Sequence, residues 1–278
     1  MSTSIPVSFI KQYQAETHEA FQRRGSLMLG TVRRKHNVVG SKTQFNLYGK
    51  GEAGEKTRHG DVPVMNNDHD NVDCFLVDKY AGEWVDNLDE RKTNTDERGL
   101  ATRASAWALG RAADSQIIAA IEAGLPSSQK IANGGTGFTL SKMLQAREIL
   151  LDNDVPDDGQ IFCWVDTHSW LEMLKIDQFV KSDYSGKIVP FLKGSEARNF
   201  MNVHFMHHNG LTKAGNISQC LMYHKTVVGH ATGAEVTQKW SWENTKSSHF
   251  LNSNMSMGAV RIDDLGVVQI DSDMSTPL

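Results

Sequence analysis

Cysteine, proline and long apolar runs are what this 278-residue chain has little of. Its three cysteines, Cys74, Cys163 and Cys220, are an odd number without CxxC spacing, so neither a disulfide framework nor a Cys-rich zinc site is expected. They read as reduced thiols in a cytosolic setting. With six prolines and 39% hydrophobic residues, the chain is neither collagen-like nor disordered. No apolar run approaches the roughly 18 residues that a bilayer span needs. The opening MSTSIPVSFIKQYQAE also lacks the cationic and apolar regions of a signal peptide, so neither a membrane nor Sec export is expected. The net charge of −4, from 29 basic and 33 acidic residues, lacks the cationic excess of a surface built wholly to neutralise phosphates.

What is present is chain enough for roughly two domains of about 150 residues each, or for one large α/β-like domain with excursions. Its charge is unevenly placed. Residues 1–36 hold Lys11, Arg23, Arg24, Arg33, Arg34 and Lys35 against Glu16 and Glu19, a local charge of +4. Residues 61–96 hold ten acids, Asp61, Asp68 and Asp70 among them, against Lys79, Arg91 and Lys92, a local charge of −7. Blocks of opposite sign pair within a chain, pair between copies, or are simply solvated faces.

Along the chain, residues 9–29 are too sparsely apolar for a core element and read as an arm. From Asn37 a β-branched, alternating row runs into Gly49, Gly51 and Gly54. That is a strand entering a flexible loop, and the return from Asn71 to Trp84 completes a long two-stranded excursion. Such a ribbon is marginal alone and should lie on something else. The strongest helix signal follows. Asn94 and Glu97 form a capping-box-like start, with Asp96 and Glu97 at the positive end of the helix dipole. Leu100, Ala104, Trp107, Asp114, Ile118 and Ile121 share a face, and Gly124 and Pro126 stop the helix. At ~1.5 Å per residue it is about 40 Å long, a spine.

The connector SSQKIANGGTG marks a domain boundary. Beyond it Thr139 caps a second helix, with Phe138 and Met143 in staple positions and Leu140, Met143, Leu144, Leu150 and Leu151 toward the core. Residues 161–165 are a buried strand, and Thr167 opens another helix through Leu174. The remainder reads as strands over 200–206, 219–224 and 234–242. A final hairpin joins 255–262 to 267–270 through Asp263-Asp264-Leu265-Gly266.

Several residue sets invite chemistry. His204, His207 and His208 lie together, with His224 and His230 following. On a strand His204 and His208 share a face and His207 takes the other, with no HExxH or carboxylate set around them, so edge or interface histidines are the better reading than a metal site. Asp166-Thr167-His168-Ser169 has the letters of a nucleophilic triad, but residues this close at a helix start cannot face one another as a triad requires. A helix cap explains them. Gly49-Lys50-Gly51 and Gly134-Gly135-Thr136-Gly137 lack the GxxxxGK[ST] order of a phosphate loop and read as connectors. Asp263 and Asp264 are turn formers, and Trp240 and Trp242 are packing residues. No active site, metal or cofactor is expected, and the chain does not read as an enzyme.

Three stretches carry a resemblance. Thr57-Arg58-His59-Gly60-Asp61-Val62-Pro63 followed by Asp78-Lys79-Tyr80 is the first. The spine segment Ala106-Trp107-Ala108-Leu109-Gly110-Arg111-Ala112 with Asp114 is the second, and Met255-Ser256-Met257-Gly258-Ala259-Val260-Arg261 is the third. Together with the order of the elements, they resemble the major capsid proteins of tailed bacteriophages over almost the whole chain. No single motif is specific; their order and spacing are.

The resemblance implies an α+β fold of the Hong Kong 97 type. It implies an N-arm at 1–36, an extended β-hairpin E-loop with flanking strands at 37–93, and a P-domain with its long spine helix at 94–125. An α/β A-domain would follow at 126–233, then P-domain strands and the C-terminus at 234–278. It also implies a structural protein of the virion capsid, assembled in the bacterial host cytoplasm. Its copies would form pentamers and hexamers and close an icosahedral shell around double-stranded DNA contacted non-specifically. Implied partners are further copies, a portal protein at one vertex, and a cement or decoration protein. A separate scaffolding protein is expected as well, because no long, charged helical prefix precedes the arm.

Intersubunit contacts are expected at Arg23, Arg24, Arg33, Arg34, Lys50, Lys56, Arg58, Asp61, Asp68 and Asp70, where the basic arm would meet the acidic loop region of a neighbour. Lys50 and Lys56 lie where some relatives cross-link a lysine to an asparagine. No such bond is expected here, because the sequence supplies neither partner nor catalytic acid. Two other readings stand beside this one: an encapsulin-type shell holding enzyme cargo, and a soluble metal-dependent hydrolase using His204, His207 and His208.

Overall fold

The computed structural model describes residues 23–65, 67–88, 96–176 and 198–277. The arm before Arg23 and the proposed helix start at Asn94 lie outside the described residues. A short strand β1 (Arg33–Lys35) is followed by β2 (Lys42–Tyr48), which pairs antiparallel with β3 (His69–Phe75) from Lys42↔Phe75 to Tyr48↔His69. The expected ribbon is therefore there, but only half of the return stays in it. Alternation slips at the adjacent Leu76 and Val77, and β4 (Val77–Asp86) leaves to join another sheet.

The helix α1 (Glu97–Glu122) has 26 residues, ~39 Å at 1.5 Å per residue. Its cap is Asp96, whose side chain accepts the Gly99 N–H at 3.0 Å, rather than Asn94. It ends at Gly124, with φ +63°, where a left-handed residue closes the last turn. The buried face is Ala101, Ser105, Leu109, Ala113, Asp114, Ile117, Ile118 and Ile121. In the first half this corrects the expected Leu100, Ala104 and Trp107 face. The helix turns its small side chains to the sheet, which lets the backbones approach, and leaves the indole at the rim.

Next come β5 (Lys130–Ile131) and α2 (Leu140–Asp152), where the Thr139 hydroxyl accepts the Lys142 N–H at 3.4 Å. Phe138, Met143, Ala146 and Leu150 are buried, whereas Leu144 and Leu151 are exposed, contrary to expectation. Those inner positions are taken instead by the stems of Lys142 and Arg147, the Lys142 ammonium bonding three carbonyls and the Arg147 guanidinium pairing with Asp157 at 2.5 Å. Then follow β6 (Ile161–Val165) and α3 (Thr167–Glu172), capped by Asp166, whose carboxylate accepts the His168 N–H.

The single strand expected at 200–206 is a tight hairpin, β7 (Arg198–Phe200) and β8 (Val203–His207). It turns at Met201 and Asn202, both with positive φ. The chain ends with β9 (Lys213–Ala214), β10 (Ile217–His224), β11 (Val228–Glu243), β12 (Ser248–Arg261) and β13 (Val267–Asp273).

Among the described residues the strands form three sheets: the β2–β3 ribbon, a four-stranded sheet β1-β11-β12-β4, and a seven-stranded sheet β5-β13-β10-β6-β8-β7 with β9 on β10. The expected final hairpin is not one. Asp263 and Leu265 do make a turn, Asp263 Oδ1 accepting the Leu265 N–H at 2.9 Å. The turn carries the chain from β12 in one sheet to β13 in the other. In the larger sheet Cys163, Val165, Cys220 and Met222 pack beneath α2, while Trp164, Leu221 and Tyr223 pack on the other face with Ile117, Ile118 and Ile121 of α1. Burial on both faces explains why these strands read as unbroken apolar runs. The first half of α1 lies on the four-stranded sheet, Leu109 and Ala113 against Met255 and Met257, and Ala101 against Val85 and Leu251. The spine thus joins the two layers.

Candidate assembly surfaces and the arm anchor

Where the arm enters the described structure, one side chain of the spine holds it. Asp114 is wholly buried. Its carboxylate accepts the backbone N–H groups of Leu27 and Met28, each at 3.1 Å, and the Ser26 hydroxyl. Arg23 lies 3.3 Å away, and His208 Nε2 is also 3.3 Å from the same oxygen. Burial by itself raises the Asp114 pKa, but the bonds from His208, Ser26, Leu27 and Met28 outweigh it and hold the carboxyl below its ordinary value. Gly210 N–H donates to Nδ1 of His208 at 3.1 Å, and Arg111 donates to the Arg23 carbonyl at 3.1 Å. Gly110 makes room, since a Cβ there would lie 2.6 to 2.7 Å from the backbone of Gly25 and Ser26.

Sequence reasoning placed Asp114 on the packed face without giving it this task. The available signals were a carboxylate at a core position of an apolar helix and a glycine at its middle.

The ten residues expected at subunit contacts fall into four groups. Arg23 is engaged inside the chain by Asp114, and Arg24 lies over the Trp107 ring at 5.5 Å. Arg33 and Arg34 are exposed on β1, which among the described residues pairs with β11 alone. Arg33 lies 5.8 Å from the Phe45 ring and Lys35 lies 4.9 Å from it, fixing β1 against the ribbon. Lys56, Arg58, Asp61, Asp68 and Asp70 are exposed on the ribbon and its loop. Lys50 at the loop base pairs with Asp154 of the same chain at 2.5 Å. No hydrogen bond or ion pair joins the basic and acidic sets within one chain among the described residues. The loop also exposes Val62, Val64 and Met65, and beyond it Tyr48, Phe75 and Tyr80 are exposed.

The histidines disperse. His204 stacks on Phe162 at 5.4 Å, His207 bonds Thr167 at 2.8 Å, and His208 belongs to the arm anchor. His224 is held by Asp158 at 3.0 Å and by Thr226 at 2.7 Å. His230 is buried with neither ring nitrogen partnered among the described residues, and burial, followed by the charges of Arg34 and His36, pushes its pKa down to about 4. No group of three or more His, Cys, Asp or Glu side chains among the described residues could hold a metal ion. Ser169 hydrogen-bonds to Ser272 at 2.9 Å, His168 to the Thr276 carbonyl at 3.0 Å, and Asp166 pairs with Lys213 at 2.8 Å. Each has its own partner, and no triad forms.

The protein-family model described as phage capsid protein matches residues 5–273. No curated protein sequence matches the chain. Among solved structures, the capsid of cyanophage P-SCSP1u superposes with a TM-score of 0.75 at 15% identity, covering 97% of this chain and 94% of that one. The capsid of Ralstonia phage GP4 gives 0.75 at 11% identity, covering 100% and 98%. A chain of Mycobacterium phage Che8 gives 0.73 at 16% identity, covering 97% and 98%.

Proposed function

The chain belongs to the phage capsid protein family and is a major capsid protein of Hong Kong 97-type fold, and from that premise we propose how it builds a shell. Copies form pentamers and hexamers that close an icosahedral head around double-stranded DNA, in contacts made without sequence readout. A separate scaffolding protein guides closure, a portal protein occupies one vertex, and a cement protein is a further partner. The protein acts as structure and not as a catalyst. The family match lies on the phage side of the two shell readings, and an encapsulin-type cargo shell is set aside. The hydrolase reading is set aside because each histidine of its cluster has a different partner.

In this reading residues 1–36 are the N-arm, 37–93 the E-loop and its flanks, 94–125 the spine, 126–233 the A-domain, and 234–278 the P-domain strands and C-terminus. The observation that carries the assembly reading is the ribbon. It projects exposed acids and exposed apolar side chains together, while the exposed cations of β1 meet no described carboxylate. Arm and loop region therefore attract each other across subunits, which makes early assembly salt-sensitive.

Negative-stain microscopy of the protein purified alone, and then with its scaffold, tests the reading. Closed shells or capsomer rings are expected; a monodisperse monomer under both conditions contradicts it. Reversing Arg33 and Arg34 to Glu should slow assembly and alter its salt dependence. If both stay unchanged, the arm does not meet the loop in this way.

A further inference from the structure

We propose that Asn209–Gly210 is a self-modifying site, at which the backbone nitrogen of Gly210 displaces the side-chain amide of Asn209 with His208 as the base. The site belongs to the single subunit and goes beyond the shell reading. Asn209 and Gly210 form the turn after β8, and both are exposed. Glycine has no Cβ to crowd its own nitrogen, and among the described residues no partner holds the Asn209 amide. The same dipeptide recurs at Asn133–Gly134, where among the described residues no histidine bonds to the glycine nitrogen.

What sets Asn209 apart is the relay behind its neighbour. Gly210 N–H donates to Nδ1 of His208 at 3.1 Å, and Nε2 of that ring lies 3.3 Å from the Asp114 carboxylate. His208 is 1% exposed and Asp114 is fully buried. The Gly210 donor is fixed by the main chain, so Nδ1 accepts and Nε2 carries the ring proton toward the carboxylate. The Arg23 guanidinium, 2.6 Å from Nε2, is itself a donor, and the same Asp114 oxygen receives it at 3.3 Å. A nucleophile, a base and a carboxylate that orients the base thus stand in the order that activated nucleophilic attack requires. A backbone nitrogen takes the nucleophile's place.

His208 takes the Gly210 proton at Nδ1, and the freed nitrogen pair forms a bond to Cγ of Asn209. The Cγ–Nδ2 bond breaks, the imidazolium returns its proton to the departing nitrogen, and ammonia leaves behind a cyclic imide. Water then adds at Cγ to give aspartate, or at the main-chain carbonyl to give isoaspartate, whose main chain is longer by a methylene. Either product brings a new carboxylate to the turn beside Arg23, whose Nη1 would lie 3.0 Å from a Cβ at Gly210. The isoaspartate also shifts His208 against Asp114. The anchor of residues 23–28 thereby carries a slow, one-way change.

The test follows the full chain by peptide mass spectrometry during incubation at neutral pH, in buffer and in concentrated guanidinium chloride. Folding ordinarily slows such ring closure, because it removes the backbone freedom that the attack needs. A base held at the nitrogen reverses this. Asn209 should convert about tenfold or more faster in the folded chain than in denaturant, whereas Asn133 should convert faster in denaturant. His208→Gln offers an amide oxygen to the same N–H without taking its proton, and should bring Asn209 down to its rate in denaturant; circular dichroism checks that the variant is folded. Cleavage next to Ser26 should rise with the fraction converted, and conversion without that rise overturns the link to the anchor. Asn209 converting more slowly in the folded wild-type chain than in denaturant overturns the inference with no variant needed. Native acceleration that persists in His208→Gln overturns it as well, because the base then lies elsewhere.

Discussion

The Asp114 carboxylate at the middle of α1 lies 3.3 Å from Nε2 of His208 just beyond β8, and both side chains are buried. The Arg23 guanidinium reaches both groups, 3.3 Å from the carboxylate and 2.6 Å from the imidazole. One residue of the spine therefore ties the segment from Arg23 to Met28 to the larger sheet.

Asp114→Asn keeps the shape of the site and removes the charge facing Arg23. Truncating one partner of a buried pair leaves the other uncompensated, and because Arg23 keeps some solvent contact the cost should be about 2–4 kcal/mol. Urea unfolding measures it. Limited proteolysis should also cut more readily next to Ser26. A variant with unchanged midpoint and unchanged cleavage would show that the arm is held elsewhere.

Acid should weaken the subunit in two stages. His230 has its pKa lowered to about 4, burial being the largest cause. The unfolded chain takes up this proton near 6.5, so stability is full above that pH and falls as pH drops from about 6.5 to about 4. The loss is on the order of 3 kcal/mol at the lower end. Asp114 has its pKa lowered below 3.8, so its share is present above 3.8 and is lost in stronger acid still. His230→Leu has no hydrogen bond of the ring to lose and should flatten the upper stage. Denaturant melts across this pH range check it, and an unflattened profile would place the sensitivity in another group.

The sequence showed those features whose cause is local. Thr139 and Asp166 announce their helices because a cap bonds to a backbone group two or three residues away. Gly124 marks the end of α1 for the same reason. What depended on distant partners stayed hidden. Nothing in residues 263–266 says that β12 and β13 belong to different sheets, and nothing in 200–206 except a tolerant Asn202 hints at a hairpin. The second half of the α1 face, with Asp114, Ile118 and Ile121, is legible from spacing, whereas the first half buries Ala101 and Ser105 in place of Leu100, Ala104 and Trp107, a choice set by close packing on a distant sheet. At the candidate surfaces the charge blocks were legible as composition. The anchor was not, because it needs Arg23, Asp114 and His208, which only the fold brings together.

The three thiols should be inert in the folded chain. Burial raises the Cys74 and Cys220 pKa values to about 11 and raises that of Cys163 as well. The thiolate is the reactive form. Iodoacetamide at neutral pH should leave native protein unlabelled and add three groups in denaturant, read by intact mass. Rapid labelling of the native chain would mean that the sheet opens around Cys163 and Cys220.

Gly110→Ala separates helix propensity from arm seating. At an unencumbered helix position the change would gain about 1 kcal/mol. Here the new Cβ would lie 2.6 Å from the Gly25 carbonyl carbon and 2.7 Å from the Ser26 nitrogen. Those atoms are backbone and cannot rotate aside, so the arm must lift and stretch its bonds from Ser26, Leu27 and Met28 to Asp114. The expected outcome is a net loss of about 1–3 kcal/mol, the usual cost of overpacking, with faster proteolysis next to Ser26. Thermal unfolding decides the sign. If alanine raises the midpoint, the arm does not cross the spine at Gly110, and the anchor at Asp114 would then have to hold it from another direction.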